Sequence, residues 1–124
     1  DLQSFIPNIN LIITARATST ISWCLLSGLP IIFINYPNQY MVKKEIYRDF
    51  SKAFIFFDAG SKNFYSDLKK YLSKSIEEMI TDWETKKECR ERFISRYISS
   101  FNDNNSGKRG ADIIFKNIFV GVKK

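Results

Sequence analysis

The chain contains no histidine among its 124 residues. That absence removes the commonest general base, the Ser-His and Cys-His nucleophilic pairs and most zinc sites. Chemistry here must draw on carboxylates, hydroxyls, lysines, arginines and backbone amides, and no metal site is expected. Cysteine is scarce as well. Cys24 lies in an apolar stretch and Cys89 in a charged one, with no short spacing between them. Such a pair points to a reducing compartment and not to a disulfide framework, so a cytoplasmic location is expected. Long apolar runs are also missing. The longest, residues 29–34, is interrupted by Pro30 and falls far short of the ~20 residues that span a bilayer. The opening Asp1-Leu2-Gln3 has no basic region leading into an apolar stretch and does not read as a signal peptide. An initiator Met is lacking too, and from this we expect a piece of a longer protein that carries part of a function.

What is present suits a soluble globular domain. Hydrophobic residues make up 44% and charged residues 26%, which excludes a disordered chain and supplies one core. The net charge of +6 favours anionic partners: nucleotide phosphates, nucleic acid or an acidic membrane surface. The basic residues are scattered and form no recognition motif, so a nucleic-acid partner is not expected.

Residues 8–14 (Asn-Ile-Asn-Leu-Ile-Ile-Thr) read as a strand, and their unbroken Leu-Ile-Ile centre predicts burial on both faces. A Thr-Ser-Thr cluster then opens a helix through Ile21, Trp23, Cys24, Leu25 and Leu26, which ends at Gly28. Residues 30–34 form a second buried strand, with Pro30 tolerable at its first position. Together these make one strand-helix-strand crossover, parallel and right-handed. Residues 42–50 predict a helix, 53–57 a third strand, and 63–72 a helix with Phe64, Leu68, Tyr71 and Leu72 on one face. From Ser75 onward Ile76, Met79, Ile80, Trp83, Ile94, Tyr97, Ile98 and Phe101 recur at helical spacing, with a break expected near residues 85–88. Residues 102–107 read as a loop, and 109–122 as a last helix that buries Ile113, Ile114, Ile118 and Val122. The expected class is α/β, a Rossmann-like three-layer domain with a small parallel sheet followed by C-terminal helices. Residues 1–73 make the nucleotide-binding core, and residues 74–124 are helices packing on that same domain.

Chemistry concentrates in Thr14-Ala15-Arg16-Ala17-Thr18-Ser19-Thr20, at the carboxyl end of the first strand. Open α/β sheets bind ligands outside these strand ends. The first amides of the following helix have no partner within it and, with the helix dipole, make an anion site. Thr18, Ser19 and Thr20 add neutral donors for phosphate oxygens, and Arg16 adds a charge-assisted contact. The plainer alternative is that these hydroxyls only cap the helix. Lys108 and Arg109 open the last helix, where cations oppose the dipole; an anionic ligand would relieve the conflict, and the favoured alternative is that exposed charges there cost little and need no ligand. Glu77, Glu78, Glu84 and Glu88 read as a solvated face paired with lysines.

The run from Asn10 to Ile34, NLIITARATSTISWCLLSGLPIIFI, resembles the donor-binding segment of GT-B glycosyltransferases. Within that family it looks most like enzymes of bacterial surface and capsule polysaccharide synthesis, and like those that polymerise CDP-glycerol into teichoic acids. In the family the hydroxyl turn, matched here by Thr18-Ser19-Thr20, cradles the donor diphosphate, and a turn like Asn104-Asn105-Ser106-Gly107-Lys108 precedes the last helix. The resemblance covers about twenty-five residues, the length of one strand-helix-strand unit. It implies half of a GT-B architecture, with Arg16, Thr18, Ser19, Thr20 and Lys108 on the diphosphate of a nucleotide-sugar or CDP-polyol donor. That donor is a substrate, and no cofactor is implied. The acceptor and base would sit on an N-terminal partner domain, so catalytic residues are not assigned and the isolated chain is expected to be inactive. Trp23 stands where many members carry a donor-binding Glu, and core packing is expected for it. A non-catalytic interaction domain and a sugar-nucleotide 2-epimerase fragment are the alternatives. The tail, residues 116–124, mixes aromatic and basic residues suited to peripheral contact with the inner membrane face; docking of the same helix against the sheet is the favoured fate of the two.

Overall fold

A computed structural model describes residues 9–17, 19–39, 42–98 and 105–116. Among these, three strands and six helices follow in the order β1 (Ile12–Thr14), α1 (Ser19–Leu26), β2 (Ile31–Asn35), α2 (Lys44–Ala53), β3 (Ile55–Asp58), α3 (Phe64–Leu72), α4 (Ile76–Thr85), α5 (Lys87–Tyr97) and α6 (Ser106–Ile114). The sheet is parallel throughout, in the order β1-β2-β3. Such an α/β arrangement is compatible with a Rossmann-like fold. The chain divides into two compact units, Asp1–Phe93 and Ile94–Lys124.

Each element has a local cause. β2 is a continuous β-branched and aromatic run, and Ile31, Ile32 and Phe33 are fully buried in the centre of the sheet. α1 ends where Gly28 takes φ 72°, a conformation that only glycine adopts without cost. Ser27 Oγ donates to the Cys24 carbonyl at 2.6 Å and accepts from Leu29 N at 3.2 Å, which turns the chain into β2. α4 starts with a reciprocal cap: Glu78 N donates to Ser75 Oγ, and Ser75 N donates to Glu78 Oε2.

Pleat alternation sorts the sheet into faces. Phe33 and Phe56 are register partners, so they share one face, and there Phe33 meets Phe50 of α2 at 4.5 Å between ring centroids. Phe57 points the opposite way and packs on Tyr71 of α3 at 5.5 Å. Helices therefore cover both faces. Phe33, Phe50, Phe54 and Phe93 form an aromatic core that also holds Trp83. Pairs of this kind add about 0.5–1.5 kcal/mol each beyond the area they bury.

Four sequence expectations change. Among the described residues β1 is an edge strand and not a doubly buried one: its described extent is Ile12–Thr14, it pairs there with β2, and Ile13 is 52% exposed. Trp23 is not in the core. It is 50% exposed, since α1 turns Ile21 and Cys24 inward and leaves Trp23 and Leu26 outside. The α2–β3 boundary lies two residues later than expected, because Ala53 completes the helix and is itself buried against the core. The last helix begins at Ser106, and Ile113 and Ile114 are exposed where burial was expected; Ile118 and Val122 lie outside the described residues. The expected break in the long C-terminal helix falls at Lys86, between α4 and α5.

Candidate functional site

The carboxyl end of β1 leads through Ala15, Arg16 and Ala17 into α1, whose first helical residue is Ser19. Arg16 N donates to Thr14 Oγ1 at 3.4 Å, a local turn that leaves the Arg16 side chain exposed. Thr20 is exposed, and the first turn of α1 carries no acidic residue to occupy the positive end of its dipole. Chain continuity thus holds Arg16, Ser19 and Thr20 within one short segment. Thr18 lies outside the described residues. Lys108 belongs to the second unit, where it is exposed in the first turn of α6. No group of three or more Cys, Asp or Glu able to hold a metal ion occurs among the described residues.

A second set of polar residues was missed in the sequence, and the strand register explains why it assembles. Asn35 and Asp58 are the last rung of the β2–β3 ladder, so their side chains stand next to each other on one face. Asn35 Nδ2 donates to Asp58 Oδ2 at 3.0 Å. Tyr47 reaches the same oxygen at 2.8 Å, because α2 covers this face and the Tyr47 ring rests on Phe56, two residues before Asp58. The other carboxylate oxygen accepts from Gly60 N at 2.8 Å, closing the turn after β3. Asn35 is 2% exposed, and its Oδ1 accepts from Val42 N, while its carbonyl accepts from Ala59 N. Gly60 is required for closeness: a Cβ there would lie 2.9 Å from Pro37 Cγ and 3.0 Å from Asp58 Oδ1. The network pins the segment after β2 to the turn after β3.

Its electrostatics follow from the same contacts. Burial alone would raise the Asp58 carboxyl, but the donors from Asn35, Tyr47 and Gly60 outweigh it and hold the group below its ordinary value. Burial, with the hydrogen bond and charge of Asp58, pushes the Tyr47 hydroxyl up to about 12. The signal for this set was faint. Asn35 and Asp58 each end an apolar strand run, and Asp58-Ala59-Gly60 has the form of an Asx turn. Nothing in the sequence ties Tyr47 to either.

Away from the sheet edge, Asp82 joins α4 to α3 by accepting from Tyr71 Oη at 2.9 Å and Lys74 Nζ at 2.8 Å. A shallow surface groove of about 490 Å³ is lined by Tyr65, Leu68, Lys69, Leu72 and Ser73, all from one stretch of chain. Being lined by α3 and its C-terminal cap alone, it is a gap between side chains and not a cleft between elements.

No family model, curated protein or solved structure matches this chain.

Proposed function

We propose that this chain is the donor-binding half of a GT-B glycosyltransferase acting in surface polysaccharide synthesis. The donor is a nucleotide-sugar or a CDP-polyol, and its diphosphate rests on the amides that open α1, with Arg16, Thr18, Ser19 and Thr20 around it. The observation that carries the reading is the β1–α1–β2 unit: a parallel crossover with a hydroxyl-rich, acid-free helix start at the carboxyl end of a strand. Neutral amides and hydroxyls there would stabilise the charge that develops on a leaving diphosphate, with no metal needed. The acceptor and the base are supplied by a partner domain, at the cytoplasmic face of the membrane.

The test is an NMR titration of the chain with UDP, CDP and GDP. Saturable amide shifts centred on residues 16–20 are expected, and the preferred base narrows the donor. A Thr18→Ala/Ser19→Ala variant that binds nucleotide as tightly as the parent sinks the assigned site. A second reading is favoured by one observation: Trp23, in the place of the family's Glu, is half-exposed on α1. It is a non-catalytic interaction domain that keeps the fold, for which no nucleotide shifts any amide.

A further inference from the structure

We draw no further inference here: the strongest candidate, the exposed surface patch of Trp23 and Leu26 on α1, is an unpartnered apolar helix face, and nothing in the structure shows what covers it.

Discussion

Replacing Asp58 by alanine removes the acceptor for three donors at once, and the structure sets the size of the loss. Asn35 is 2% exposed, so its Nδ2 loses its acceptor in a site with little access to solvent. An orphaned buried donor of this kind costs about 1–3 kcal/mol. Gly60 N and the half-buried Tyr47 Oη regain water, so each loses only a fraction of an ordinary bond. The sum is about 2–4 kcal/mol. For a chain of 124 residues one kcal/mol moves the melting temperature by about 4 °C, so Asp58→Ala lowers it by roughly 8–15 °C. Thermal melts and urea titrations followed by circular dichroism measure both quantities. Tyr47→Phe deletes one hydroxyl and costs about 1 kcal/mol. In a double-mutant cycle Tyr47 and Asp58 then couple by about 1 kcal/mol. A drop below 3 °C for Asp58→Ala, or a cycle that is simply additive, would refute the claim that this network pins the sheet edge.

Alkaline pH weakens the fold through Tyr47. Its folded pKa is raised to about 12, so its contribution is complete below the unfolded value of about 10 and is lost as pH rises between the two. A pH series of urea midpoints shows this fall, and Tyr47→Phe flattens it. Acid works in the opposite sense through Asp58 and Asp82, whose folded pKa values are depressed, by the donors described for the first and by Lys74 and Tyr71 for the second. Their contribution is present above about pH 4 and is lost as pH falls through the depressed values, so Asp82→Asn moves the acid midpoint upward. Arg90, 8% exposed, lies 3.7 Å over the Trp83 ring and donates to the Trp83 carbonyl at 2.8 Å. Arg90→Ala costs about 2–4 kcal/mol and Arg90→Lys recovers less than half, read from Trp83 fluorescence in a Trp23→Phe background. Gly28→Ala meets no atom within 4 Å but must hold φ 72°, so it destabilises by about 1–2 kcal/mol in a denaturant titration.

What the sequence made legible is what local patterning controls. The β-branched run of β2, the glycine that ends α1 and the apolar spacing on either side of Lys86 each act within a few residues, and each marked its element. The failures share a different cause. Whether Leu-Ile-Ile sits inside a sheet or at its edge depends on the strand that pairs beyond it, which composition does not encode. Trp23 was expected inside because tryptophan usually is, yet the turn of α1 that buries Ile21 and Cys24 leaves position 23 out. Ile113 and Ile114 show the same gap: their period announced an apolar face without saying what it faces. Asn35, Tyr47 and Asp58 meet only because the β2–β3 register and the α2 crossing bring three distant positions together.

That network bears on how chemistry would be divided if the donor-binding reading holds. Asp58 is the one carboxylate on the three described strands, and both of its oxygens already accept hydrogen bonds. A carboxyl held below its ordinary value is a weak proton acceptor at neutral pH, where a general base works best near 7. On that reading, the deprotonation of an acceptor hydroxyl would fall to a group other than Asp58. Asp58→Asn separates the two roles. It keeps the shape of the side chain, removes its charge and lowers the melting temperature. Nucleotide-induced shifts at residues 16–20 should persist with the affinity of the parent. If binding disappears while the variant remains folded, Asp58 belongs to the ligand site itself and this division of labour is wrong.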